Sequence, residues 1–159
     1  MTNRLKTPQK SISLQGYLLV AAPHLQDELF AQSVCMVVHH GSQGAIGVFL
    51  NKELSAHAPG LWEQLAGKET QYSKALLHLG GPNSGPVIAV HDHESLAEYT
   101  SACGVYFAAQ VDHLRKLLSL ATSDSGQGQK SAVKIIVGQA NWAPGQLDAE
   151  FAAGKWLPL

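Results

Sequence analysis

Short uninterrupted apolar runs, separated by turn-forming residues, are the feature of this sequence that most restricts its fold. Strands with one solvated face alternate apolar and polar residues, whereas strands buried on both faces are apolar throughout. Because these runs do not alternate, we predict a β-sheet covered on both faces. A polar Gly-Ser-Gln turn between the second and third runs predicts a hairpin. The predicted strands are residues 16–23, 33–40, 44–51, 75–81, 85–91, 104–109 and 132–138.

Helical patterns are fewer than strand patterns. Residues 111–121 carry one apolar face, and residues 59–68 and 145–153 form two shorter patterns, the last followed by a capping Gly154. Many strands with few helices predict an α+β fold built on a large mixed sheet rather than a regular βαβ array. We predict a disordered tail over residues 1–11 and a single domain over residues 12–159.

The charge pattern argues against nucleic acid and membrane as direct partners. The formal net charge is −1, and the basic cluster Arg4, Lys6 and Lys10 lies in the tail. No apolar run approaches the roughly 20 residues that span a bilayer, and residues 1–11 lack the apolar core of a secretion signal. Two cysteines make no disulfide framework. These features predict a protein of the cytoplasm.

Motifs of common catalytic and cofactor sites are absent from the sequence. Neither a Gly-x-Ser-x-Gly elbow nor a phosphate-binding loop occurs. His91 and His93 share one side of a predicted strand, but a metal needs further ligands, and we expect both to be solvated at the strand end. Asp148 and Glu150 diverge by about 200° around a helix, which predicts a solvated face rather than a carboxylate pair. We predict no metal, no cofactor and no catalytic residue.

Loops rich in Gly, Pro, Asn and Trp are the remaining candidates for a binding site. As a hypothesis, three such loops gather on one side of the sheet, where Trp142 forms an apolar wall and Asn51 and Gln146 offer amide contacts. The structural alternative is that Trp142 and Trp156 pin the last helix to the sheet. The three loops contain Asn51, Gly80, Gly81, Pro82 and residues 141–146.

Five stretches follow one another between Leu14 and Leu157 in a characteristic order. They read LQGYLLVAAPHLQDELFAQSVCMVVHH, HGSQGAIGVFLN, LGGPNSGPVIAVH, GVYFA and NWAPGQLDAEFAAGKWL. Together they resemble the YqgE/AlgH family of bacterial proteins. The resemblance places on family motif positions His40, Asn51, His91, Trp142, Gly145, Gln146, Leu147, Glu150 and Trp156.

This resemblance implies an α+β fold with a large mixed, partly barrel-like sheet flanked by a few helices. It also implies a link to the regulation of alginate and of transcription, without an established biochemical activity. The chain departs from the family pattern where Gln139 and Asn141 replace Tyr and Gly, and where Glu53 replaces Pro. A pocket that used the family Tyr would be altered here.

We therefore expect a cytoplasmic, non-enzymatic regulatory domain that binds an unidentified protein partner or small-molecule ligand. The alternative is a hydrolase-like enzyme acting on small molecules, with His40 or His91 as its base. A cleft lined by amides and backbone favours the first, and a closed cleft crowded with titratable groups favours the second. The candidate binding residues are His40, Asn51, Gly80, Gly81, Pro82, His91, Trp142 and Gln146.

Overall fold

The structure, a computed structural model, describes residues 12–54, 77–101, 104–122 and 131–159. These residues form ten β-strands, two α-helices and one short 3-10 helix, which confirms the predicted α+β class. The predicted tail of residues 1–11, the predicted helix of residues 59–68 and Cys103 lie outside the described residues.

The strands form two sheets, each of five strands. The first has the order β10-β1-β2-β3-β9 and is antiparallel throughout. The second has the order β4-β8-β5-β7-β6 and is mixed, because β4 and β8 run parallel. In chain order the strands are β1 (Leu18–Ala21), β2 (Val34–Gly41), β3 (Gly44–Phe49), β4 (Leu77–Leu79), β5 (Ile88–His91), β6 (Tyr99–Thr100), β7 (Tyr106–Ala108), β8 (Val133–Val137), β9 (Ala140–Trp142) and β10 (Trp156–Pro158).

The mixed sheet is confirmed, but the single large sheet is divided in two. Within the described ranges neither strand order returns to its first strand, so neither sheet closes into a barrel. The predicted hairpin of β2 and β3 is present. The short strands β6, β9 and β10 were not predicted, because two or three residues without an apolar run leave no periodic signal. They exist through pairing with β7, β3 and β1, respectively.

The two sheets pack face to face, and helices cover their outer faces. Met36 of β2 and Ile136 of β8 belong to the core between the sheets, while Cys35 and Val37 point to the opposite side of the first sheet. Both faces of the first sheet are therefore apolar, which confirms the prediction drawn from the uninterrupted runs. The same alternation recurs in β8, where Ile135 faces the outer helix.

Each outer face is covered by one described helix. Helix α1 (Val111–Thr122) buries Leu114, Leu117 and Leu118 against the second sheet, as its apolar spacing predicts. Helix α2 (Gln146–Ala152) buries Leu147 against the first sheet and is followed by Gly154, whose φ of 70° suits a helix end. Neither described helix has the length and apolar content that crossing a membrane requires.

Candidate functional site

A polar groove with a volume of about 410 Å³ lies where the β2–β3 hairpin meets the start of α2. Its outline depends on the hairpin turn at Gly41 and Ser42 and on the left-handed backbone of Gly145, where φ is 73°. We call it the hairpin groove and define it by its lining residues, which are Ser13, His40, Gly41, Ser42, Gly145 and Asp148.

His40 is the residue of the hairpin groove with the most restricted role. Its Nδ1 accepts the backbone N–H of Leu14 at 2.9 Å, and its Nε2 lies 3.2 Å from Oδ2 of Asp148. Because Nδ1 accepts a hydrogen bond, it carries no proton, so Nε2 is the protonated nitrogen and donates to the carboxylate. The network therefore assigns a neutral imidazole with neither nitrogen free, and the His40 side chain is only 6% exposed.

A β-bulge turns His40 towards α2. Val37 pairs with Gly47 and His39 pairs with Ile46, so Val38 is an extra residue in β2. Regular alternation from Val37 would have placed His39 on the α2 side of the sheet. The bulge reverses this, so that His40 stands opposite Ala45, a member of the core beneath α2.

Trp142 belongs to the core rather than to a loop. It lies on β9, is 4% exposed and makes an edge contact with Trp156 at a centroid distance of 5.8 Å. One oxygen of Glu150, Oε2, accepts both indole N–H groups, at 3.0 Å from Trp142 and 2.9 Å from Trp156. The two tryptophans thus pin α2 to the first sheet, which is the arrangement of the structural alternative.

Gln146 completes the same network at the start of α2. Its Nε2 donates to Oε1 of Glu150 and its Oε1 accepts the N–H of Ala143, each at 3.0 Å. Both ends of this amide are engaged within the protein. The expected solvated carboxylate face is wrong for Glu150, which accepts three hydrogen bonds, whereas Asp148 contacts His40 through one oxygen and remains 38% exposed.

Asn51 also uses both ends of its amide within the protein. Its Oδ1 accepts the N–H of Val34 and its Nδ2 donates to the carbonyl of Gln32, each at 2.8 Å. Gln32 has a φ of 58°, in the left-handed region that non-glycine residues rarely adopt. Asn51 therefore holds a strained turn that leads into β2.

Gly80 and Gly81 lie at the junction of the two sheets. The Gly80 carbonyl accepts the N–H of Phe49 from the first sheet, and the Gly80 N–H donates to Val137 in the second, both at 2.8 Å. A Cβ on Gly80 would meet the carbonyl of Gly138, and one on Gly81 would meet the backbone of Gln139. These glycines are needed because two backbones pass in contact, while Pro82 beside them is exposed.

The three predicted loops do not meet in one pocket. Trp142 pairs with Ala45 near the start of β3, whereas Asn51 follows the far end of that strand. Six residues of extended chain separate those positions by about 20 Å. Gly80 bonds near the Asn51 end, at Phe49, so Asn51 and Gly80 share one side of the molecule. Trp142 and Gln146 lie near His40, at the opposite end of β3 from Asn51.

The two departures from the family pattern in the last stretch are neighbours in space. Gln139 donates from Nε2 to Oδ1 of Asn141 at 3.0 Å, and the Gln139 backbone exchanges two hydrogen bonds with Asn83. Neither side chain lines the hairpin groove. Gln139, which stands where the family has Tyr, therefore contributes no side chain to the lining of the hairpin groove.

His91 is buried at the end of β5, with only 3% of its surface exposed. Its Nδ1 accepts the N–H of His93 at 3.2 Å, which leaves the proton on a buried Nε2 that has no hydrogen-bond partner among the described residues. Burial lowers the pKa of His91 below its ordinary value, and the neighbouring His93 lowers it further. The expected solvation of His91 is wrong, because the strand carries its ring inward against Tyr106.

His91 and His93 do not present their rings to a common ion. His93 directs Nε2 to Oγ of Ser131 at 2.9 Å, while Nε2 of His91 is enclosed. Across residues 12–54, 77–101, 104–122 and 131–159, no three His, Cys, Asp or Glu side chains gather into a potential metal site.

Sequence reasoning selected His40 but missed its surroundings. Asp148 is the partner that was missed. It lies directly after Leu147 in the Gly-Gln-Leu-Asp-Ala-Glu segment of the last family stretch. Ser13 and Ser42 were also missed, since lone serines in polar segments carry no distinguishing signal. A 108-residue separation between His40 and Asp148 leaves no local pattern to read.

Comparison with known proteins identifies relatives over nearly the whole chain. The family model described as AlgH-like matches residues 18–159. A UPF0301 protein from Methylococcus capsulatus is 32% identical, with 94% of this chain and 81% of the relative covered. A UPF0301 protein from Pseudomonas syringae pv. tomato is 36% identical, with 91% of this chain and 75% of the relative covered.

Solved structures support the same grouping. The solution structure of the AlgH protein from Pseudomonas aeruginosa has a TM-score of 0.63 and 26% identity, covering 98% of this chain and 80% of that one. A crystal structure of a Corynebacterium diphtheriae protein has a TM-score of 0.65 at 21% identity, covering 96% of this chain and 78% of that one, and shows the shared fold alone.

The Glu150→Ala substitution tests the tryptophan anchor. It leaves two buried indole N–H groups without acceptors, so we expect the free energy of unfolding to fall by about 2–4 kcal/mol. Glu28→Ala, at an exposed position, is the matched control and should change it by less than about 0.5 kcal/mol. Denaturant unfolding measures both. Equal effects of the two substitutions would contradict the anchor.

The His91→Asn substitution tests the buried histidine through pH. In the unfolded chain His91 has an ordinary pKa of about 6.5, whereas its pKa in the folded chain is lower. As the pH falls, the unfolded chain therefore binds this proton before the folded chain does. Wild-type stability is therefore lost as the pH falls below about 6.5 and is insensitive to His91 above it. Asn keeps an acceptor for the N–H of His93.

We expect His91→Asn to flatten the fall in unfolding free energy between about pH 7.5 and pH 5.5. The exposed control His24→Asn should retain the wild-type slope. Urea unfolding at each pH gives both slopes. A slope in His91→Asn as steep as in wild type would contradict the assignment.

Proposed function

The chain belongs to the AlgH-like family, and from that premise we propose that it is a non-enzymatic binding domain whose site is the hairpin groove. The groove is bordered by hydroxyl groups and backbone rather than by a crowd of titratable side chains. Its volume of about 410 Å³ lies within the range of about 300–1,000 Å³ usual for small-molecule sites.

The observation that carries this proposal is the double engagement of His40. A general base needs a free lone pair within reach of the proton that it removes. The His40 lone pair on Nδ1 is taken by the N–H of Leu14, and its Nε2–H is directed at Asp148. An imidazole held in this way positions its neighbours and does not accept a substrate proton.

His91, the other candidate base, gives the enzymatic alternative no better support than His40 does. His91 is enclosed, its Nδ1 already accepts a hydrogen bond, and its Nε2 has almost no contact with solvent. The ring borders a cavity of about 480 Å³, but neither of its nitrogens offers a free lone pair to a substrate in that cavity.

A regulatory role would act through a ligand or a protein partner in the cytoplasm. The formal net charge of −1 supports no direct contact with nucleic acid, which is bound through concentrated positive charge. The edge of the groove is formed by Gly41 at the end of β2 and by Ser42 in the hairpin turn, both of which are exposed and open to either kind of partner.

The Ser42→Gln substitution tests whether the hairpin groove binds. The longer side chain extends from the exposed turn into the groove. In a thermal-shift screen with a metabolite library, we expect compounds that raise the Tm of the wild type and fail to raise that of Ser42→Gln. Ser84→Gln, at an exposed loop position away from the groove, should respond as the wild type does. NMR should recover each compound chemically unchanged.

Two results would overturn the proposal. One is a set of stabilising compounds that act equally on the wild type and on Ser42→Gln, which would place binding elsewhere. The other is conversion of such a compound, or of para-nitrophenyl acetate, at a rate that falls at least tenfold in His40→Gln but not in His24→Gln. That result would make His40 a base after all.

A further inference from the structure

The hairpin groove carries negative charge that no lining side chain balances. Asp148 is the one charged group among its lining residues, and none of them is Lys or Arg. His40 contributes no charge, because the N–H of Leu14 requires an unprotonated Nδ1. A ligand that enters the groove therefore meets an anionic site.

Asp148 has an oxygen available for that ligand. Its Oδ2 is occupied by His40, while Oδ1 has no hydrogen-bond partner among the described residues. The side chain is 38% exposed, compared with 6% for His40. The imidazole of His40 thus holds Oδ2 of the carboxylate, and Oδ1 faces solvent at the groove.

The other polar side chains of the groove add acceptors. Ser13 donates its hydroxyl to the carbonyl of His40 and accepts the N–H of Gln15, each at 3.3 Å, which leaves one lone pair on its oxygen. Ser42 is exposed on the hairpin turn. An ammonium group has three N–H donors and no acceptor, which matches a carboxylate flanked by hydroxyl oxygens. An anion would be repelled by Asp148.

We propose that the hairpin groove binds the ammonium group of a primary amine, which donates to Oδ1 of Asp148. The inference rests on the proposed function and names its ligand chemistry. His40 is a positioning residue, since it holds the carboxylate by the hydrogen bond to Oδ2. The ammonium could belong to a free amine, to a lysine of a partner or to Lys10 of this chain, three positions before Ser13.

The probe for this proposal is n-butylammonium chloride, with 1-butanol as its neutral counterpart. Titration into 15N-labelled protein should move the amide signals of Gly41, Ser42 and Gly145 in a saturable way with n-butylammonium and not with 1-butanol. Raising the salt concentration should weaken the interaction, since an exposed ion pair is screened.

Asp148→Asn is the decisive variant, because its amide oxygen still accepts the Nε2–H of His40 while the charge is lost. We expect the affinity for n-butylammonium to fall at least tenfold. Asp112→Asn is the matched control, an 85% exposed carboxylate on α1, and should bind as the wild type does. Should Asp148→Asn fail to fold, Ser42→Ala on the exposed turn should still weaken binding two- to fivefold.

Two further experiments distinguish the possible sources of the ammonium group. Tighter binding of n-butylammonium to Lys10→Gln would identify Lys10 as an internal competitor. Without that change, n-butylammonium is compared with Nα-acetyl-lysine amide, whose side-chain ammonium is free. Tighter binding of n-butylammonium indicates a free amine, and tighter binding of the lysine derivative indicates a lysine of a partner.

Equal binding of 1-butanol, equal binding to Asp148→Asn and wild type, or no saturable shift at the groove would each overturn the amine assignment. These results leave the proposed function standing, provided that other compounds still bind there. Conversion of a bound compound that depends on His40 would overturn the proposed function, and it is detected separately by NMR of the compound itself.

Discussion

Two hydrogen bonds to one imidazole hold the candidate site together. They join Leu14, which precedes β1, to His40 on β2 and to Asp148 on α2, across sequence separations of 26 and 108 residues. Each partner takes a different nitrogen, so the ring has one orientation and one tautomer. The entry of the chain, the hairpin and the last helix are thereby fixed around the hairpin groove.

Glu150 supplies the second anchor, and it explains why one short helix serves two purposes. Asp148 and Glu150 diverge by about 200° around α2. Glu150 turns inward to the indoles of Trp142 and Trp156, while Asp148 turns to His40 and the groove. Because the tryptophans fix the rotation of α2 about its axis, they also fix the direction in which Asp148 points.

Patterns in the sequence predicted the fold class, seven of the ten described strands, both described helices and His40 as a candidate site residue. Apolar runs and helical spacing are local signals, and they suffice for such elements. Strands β6, β9 and β10 were missed because they depend on partners elsewhere in the chain. The orientation of His40 could not be foreseen, since the bulge at Val38 reverses the alternation. Trp142 and Gln146 looked available because their partner, Glu150, reads as a solvated helix residue.

His40 is neutral and engaged at both nitrogens, and the protonation of its ring nitrogens can be observed directly. A long-range 1H–15N spectrum of the protein at neutral pH should give His40 a protonated Nε2 and an unprotonated Nδ1. A hydrogen-bond coupling should connect Nδ1 to the amide of Leu14. A protonated Nδ1, whether in a charged ring or in the other tautomer, would contradict the account, because the N–H of Leu14 would then face a second donor.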